Sequence, residues 1–93
     1  MYFDHGMFDD DFYNKVYKTV FESSNDNNLN VQIRNSWTLA NLSFINKGFD
    51  DDFIAQESLI NSVNYSLSNK EKVASNGLRS LGYFIQNYDM QNL

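Results

Sequence analysis

Few residues of this 93-residue chain could take part in bond-making chemistry, and their types and spacing decide most cases. His5 is the single histidine and there is no cysteine. Neither a nucleophile with its base nor a Cys/His metal set can be assembled from that inventory. Asp9–Asp11 and Asp50–Asp52 form two carboxylate clusters. A calcium loop needs oxygens at alternating positions, a glycine at the turn and a bidentate acid at the end. Neither cluster has that pattern, nor does the NDNNLN run at 25–30. Carboxylates in the first turn of a helix, next to the positive end of its dipole, account for both clusters. Asn41-Leu42-Ser43 and Asn64-Tyr65-Ser66 match the glycosylation sequon, but both fall inside helical patterns in a chain rich in Asn and Ser. No enzyme, cofactor or metal is therefore expected.

Binding is better provided for. Arg34, Trp37 and Asn41 stand at i, i+3 and i+7, and Arg79 and Tyr83 at i and i+4 further on. Each set shares one helix face. Trp, Tyr and Arg are the residue types that most often carry energy at protein interfaces, whereas Leu or Ala would serve packing more simply. If the two helices lie side by side, the five residues form one protein-binding patch. The competing use of Trp37 is as a spacer between helices, with Asn41 in a local contact.

The elements that must position them follow from apolar spacing. Phe8, Phe12, Val16 and Val20 recur every fourth residue, with Tyr13, Tyr17 and Phe21 beside them. That spacing predicts a first helix with a wide stripe. SSNDNN at 23–28 ends it, since short polar side chains bond to nearby backbone. A second helix over 30–46 carries Ile33, Trp37, Ala40 and Phe44, and Lys47-Gly48 stops it. The third opens at Asp50–Asp52 and carries Phe53, Ile54, Leu59, Ile60, Val63 and Leu67. Ser68 and Glu71 have capping-box spacing before a fourth helix that reaches about residue 88. On it Val73, Gly77, Leu81, Phe84 and Tyr88 are expected inward, with Leu78, Gly82 and Ile85 beside them. No stretch reads as a strand.

Val31–Leu42 comes back as Val73–Phe84, 42 residues later. Val31 then matches Val73, Leu39 matches Leu81, Ala40 matches Gly82 and Leu42 matches Phe84. The period lies within the ~40–47 residues of helical-pair repeats. Ala40 and Gly82 are expected at equivalent close helix contacts. The pattern thus predicts one all-α domain over 1–93, an α-solenoid fragment of four antiparallel helices, with repeats at 8–46 and 50–88.

VQIRNSWTLANLS and KVASNGLRSLGYF resemble the second helices of HEAT repeats, and the SWTLANLS stretch is also similar to armadillo helices of the importin-α kind. Val31, Leu39, Ala40 and Leu42 meet the HEAT pattern in the first unit, and Val73, Gly77, Leu81 and Gly82 in the second. Gln32 and Ala74 stand where the family carries Arg after Val. The resemblance implies a scaffold that binds a protein or peptide on the face of its second helices. By the armadillo likeness, Asn41 would bond a peptide backbone and Trp37 would hold an aliphatic stem. The alternative it implies is a purely structural segment of a longer solenoid, without a binding site of its own.

Composition limits the partners. The net charge of −5 opposes nucleic-acid phosphate, and the seven Lys and Arg are scattered. No run approaches ~18 consecutive apolar residues, and the start MYFDHGMFDDDF lacks the basic and apolar regions of a signal peptide. The expectation is an intracellular protein, cytoplasmic or nuclear, that engages neither nucleic acid nor membrane. Two repeats leave both ends of a stack uncovered, so self-association through those ends is also expected.

Overall fold

The computed structural model describes residues 10–45 and 51–91. His5, Phe8, Asp9, Asp50 and the Lys47-Gly48 stop lie outside the described residues. Four helices fill the described chain: α1 (Asp10–Glu22), α2 (Leu29–Ile45), α3 (Asp52–Ser66) and α4 (Glu71–Gln91). There is no strand among the described residues. None of these helices is long and apolar enough to cross a membrane.

Local chemistry sets the helix starts. Asn28 caps α2: its Oδ1 accepts from the Asn30 and Val31 N–H groups at 2.9 and 3.3 Å. Its carbonyl takes the first helical bond, from Gln32 N–H. Asp51 caps α3 through Oδ1 and Ile54 N–H at 3.1 Å. The Ser68–Glu71 capping box does not form. Ser68 Oγ accepts only from Lys70 N–H, at 3.1 Å, and the first helical bond of α4 runs from Ala74 N–H to Lys70 carbonyl. A bend at 69–70 separates Ser68 from the helix start, too far back for it to act as the cap.

Contacts fix how the helices run. Gly77 lies against Tyr65 and Ser66, and Ser80 against Ser62, so α3 and α4 are antiparallel. Ile33 and Ser36 meet Asn76, Ser43 meets Ser80, Phe44 meets Tyr83, and the Ser43 carbonyl meets Asn87. Both sets of numbers rise together, so α2 and α4 are parallel neighbours. α4 therefore lies between α2 and α3. The backbone of α1 approaches those of α2 and α3 and, among the described residues, not that of α4.

The core is built in two ways. Beside α1 it is apolar and aromatic: Tyr13, Tyr17 and Val20 close over Leu39, Leu42 and Ile54. Between α2, α3 and α4 it is small and hydroxylic, with Ser36, Ser43, Ser58, Ser62 and Ser80 all at 0% exposure. Ser62 Oγ donates to the Ser58 carbonyl at 2.7 Å. A hydroxyl has one proton, so in the 2.7 Å contact between Ser62 and Ser80 it is Ser80 that donates. Ser43 must then donate to Ser80 across 3.2 Å. The chain of bonds is directed, from α2 through α4 to α3.

This arrangement overturns the expected stripe on α3. Phe53, Leu59, Ile60, Val63 and Leu67 are exposed, while Ser58, Asn61, Ser62 and Tyr65 are buried with Ile54 and Ala55. The cause is distance. A Cβ added to Gly77 would stand 2.3 Å from Ser66 N and 2.6 Å from the Tyr65 carbonyl carbon. Backbones this close leave room only for small side chains, and the large apolar ones turn outward. Gly82, expected at such a contact, has nothing within 4 Å. It lies on the outer side of α4 with Leu78 and Ile85, which are 60% and 50% exposed. Ala40, its expected counterpart, is fully buried, so the two small positions are not equivalent. Leu81, expected inward, is half-buried, and Ser80 takes the inner place.

Candidate functional site

A helix turns about 100° per residue, which sorts the five expected site residues. On α2 the contacts with α4 pass through Ile33, Ser36 and Ser43, while Leu39 belongs to the core beside α1. Arg34, Trp37 and Asn41 fall on the side opposite Leu39. On α4, Arg79 falls opposite the buried Phe84, and Tyr83 lies between Arg79 and the α2 contact. Because α2 and α4 are parallel and adjacent, both sets occupy the side of this pair turned away from α1 and α3.

The surface state of each residue follows. Trp37, Asn41 and Tyr83 are half-buried, and Arg34 and Arg79 are exposed. Tyr83 packs on Phe44 with ring centroids 5.1 Å apart. Arg79 Nη2 donates to Asn76 Oδ1 at 3.2 Å, and Asn76 Nδ2 in turn donates to the Ile33 carbonyl and to Ser36 Oγ. That relay ties the Arg79 side chain to the α2–α4 seam. Asn41 Nδ2 donates to the Trp37 carbonyl at 3.0 Å. The amide group assigned to a peptide backbone by the armadillo likeness is thus turned onto its own helix, and only its carbonyl oxygen is left for a ligand.

Charge distinguishes this face from the rest of the chain. α2 contains no acidic residue, and Glu71, in its first turn, is the only acid on α4 over 71–87. The chain as a whole carries −5, and Arg34 and Arg79 stand on this pair with no acidic residue on α2 or over 72–87 of α4.

A second concavity was not foreseen. A cleft of about 520 Å³ opens between the 23–28 link, the start of α2 and α3. Glu57, Asn61 and Tyr65, each one turn after the last, line its α3 wall, and Gln32 and Ser24 stand on the other side. Tyr65 is 6% exposed. Burial raises the pKa of its hydroxyl, and the adjacent Asn35 amide draws it partly back. The Tyr65 hydroxyl and Asn35 Nδ2 are both sealed from solvent without a well-formed hydrogen bond. The i, i+4, i+8 spacing of Glu57, Asn61 and Tyr65 is visible in the sequence. It lies off the apolar stripe expected for α3, and so gave no signal by itself. No group of His, Cys, Asp and Glu among the described residues could hold a metal ion.

No protein-family model matches the chain, and no curated protein or solved structure matches it either.

Proposed function

We propose that the chain is a helical-repeat interaction module that binds a protein or peptide on the α2–α4 face through Arg34, Trp37, Asn41, Arg79 and Tyr83. The supporting observation is the parallel pairing of α2 and α4, which brings residues about one 42-residue period apart into one solvent-facing patch. Trp37 supplies a half-buried indole whose N–H bonds no described residue. Large aromatic area beside exposed guanidinium groups is the composition of an interface centre. With two Arg and no facing acid, the partner segment that fits is acidic, and such a contact weakens as salt rises.

The test is capture of partners from native lysate by the intact chain and by variants, with folding measured on the same samples. Arg34→Gln and Arg79→Gln should fold normally and lose capture. If Asn41→Ala and Tyr83→Ala leave both folding and capture unchanged, the α2–α4 face is not the binding surface.

A second reading, a structural segment of a HEAT-like stack, is favoured by the outer side of the α3–α4 pair. Leu59 and Val63 on α3 and Leu78 and Ile85 on α4 are all exposed, on the sides of these helices turned away from α1 and α2. A further hairpin, or a second copy of the chain, would cover them. Light scattering separates the readings: association abolished by Leu78→Gln with Ile85→Gln supports stacking, and a monomer at high concentration counts against it.

A further inference from the structure

The polar cleft beside α3 has a bias that its residue types alone do not reveal. Gln32 has a side-chain amide, able both to donate and to accept, but its Nε2 donates to the Asp26 carbonyl at 3.0 Å. That bond orients the amide and leaves Oε1 with no donor from any described residue. Asn61 behaves likewise: Nδ2 donates to the Glu57 carbonyl at 2.8 Å, and Oδ1 is left over. Ser24 has spent its one proton on the Phe21 carbonyl at 2.7 Å, so its hydroxyl can only accept. Glu57 adds a carboxylate that forms no ion pair among the described residues; the ion pair found there is Lys15 with Asp11, on α1. Four groups drawn from the link, α2 and α3 thus bring acceptors to one side of a 520 Å³ space, while Asn25, Asn64 and Ser68 elsewhere in the lining keep side-chain donors. Tyr65 completes the lining, its hydroxyl sealed from solvent beside Asn35.

The acceptor side of the cleft, with its one carboxylate, is complementary to a positively charged donor group. Water, which brings as many acceptors as donors, satisfies such a wall less well. An anion is repelled by Glu57, and a neutral amide forgoes the charge-assisted bond to it. Ile60 supplies an apolar flank for a methylene stem.

We infer that this cleft is a binding site for a guanidinium or primary ammonium group on a short aliphatic stem. The cation sits between Glu57, Asn61 Oδ1 and Gln32 Oε1. That chemistry is offered by an arginine or lysine side chain of another protein and by a free alkylamine. The site shares no residue with the α2–α4 face and carries the opposite charge preference.

The experiment is a titration of the intact ¹⁵N-labelled chain, followed by amide resonances, with butylguanidinium, butylammonium and the uncharged butylurea. The expected result is saturable shifts confined to the side-chain amides of Gln32 and Asn61 and to the neighbouring α3 backbone. Both cations produce them and butylurea does not. Glu57→Gln, whose spectrum verifies folding, should weaken binding by about tenfold, the loss of one charge-assisted hydrogen bond. Tyr65→Phe, which removes only a hydroxyl sealed beside Asn35, should leave it nearly unchanged. Trp37→Ala should leave it unchanged. N-acetylarginine N-methylamide distinguishes the source: binding at least as tight as butylguanidinium assigns the site to a peptide side chain, and exclusion assigns it to a free cation. Equal binding of butylurea, unchanged binding by folded Glu57→Gln, or shifts spread over the surface without saturation would overturn the assignment.

Discussion

The α3–α4 hairpin and the α1–α2 pair join consecutive helices by similar short links, yet they close in different ways. α3 and α4 approach until the Gly77 backbone rests on that of Tyr65 and Ser66, and serines fill the gap. α1 is held off by rings. Tyr13 and Tyr17 are buried between it and its neighbours, and Tyr17 stacks near Phe21, which meets Phe53 edge-on at 6.3 Å. The contact is also displaced along the chain. The Tyr17 hydroxyl reaches the Leu42 carbonyl, 25 residues away, whereas a hairpin folded at the 23–28 link would set it near residue 34. α1 therefore meets the far end of α2 instead of lying along it. Small side chains permit close, hydrogen-bonded, sharply registered packing. Large rings permit a looser contact that tolerates displacement.

The hardest blow to this contrast is Gly77→Ala. The new Cβ would be 2.3 Å from backbone nitrogen, which no rotamer change can relieve. The expected loss is about 3 kcal/mol or more, by urea unfolding. A loss below about 1 kcal/mol would mean that α3 and α4 are not in backbone contact.

Next comes the directed hydroxyl chain. Ser80→Ala orphans the Ser43 proton in a sealed site and is expected to cost about 1–3 kcal/mol. Ser43→Ala leaves only an unused lone pair on Ser80 and should cost less than about 1 kcal/mol. Equal costs would show that the bonds do not run in the stated order.

In the aromatic region the effect is smaller at neutral pH and grows with alkali. Burial, reinforced by Tyr13, holds the Tyr17 pKa far above its ordinary value near 10. The folded state thus keeps a proton that the unfolded chain releases. Stability from this group is whole below about pH 10 and falls as pH rises toward the folded value. Tyr17→Phe should cost about 1 kcal/mol at pH 7, its bond to Leu42 being long at 3.4 Å. The decline in urea midpoint above pH 10 should be shallower in the variant. A decline of unchanged steepness would assign the alkaline sensitivity elsewhere, first to Tyr65, whose pKa is also raised.

The mildest change has the opposite sign. Gly82→Ala meets nothing within 4 Å and should stabilise the chain by about 0.5–1 kcal/mol through helix propensity. Destabilisation would reveal something packed on that side, such as a second copy.

Much was settled by sequence alone, because helix formation is local. The four-residue recurrence of apolar positions and the polar links specify four helices, with the described ends within about three residues of those expected, although the cap expected at Ser68 did not form. The i, i+3, i+7 spacing of Arg34, Trp37 and Asn41 likewise puts those side chains on one face whatever lies beyond. What spacing could not decide is which side of a helix is inside. That depends on the distance between helices. Gly77 against Tyr65 makes that distance too short for Leu or Ile, so serines went in and the apolar residues of α3 went out. The cleft at Glu57 was hidden for a related reason. An Asn or Gln can give or take a hydrogen bond until something binds one end, and here backbone carbonyls did so: Glu57's own for Asn61, and for Gln32 that of Asp26, in the link. Only the tertiary structure sets both amides around one space, with the same end of each left free.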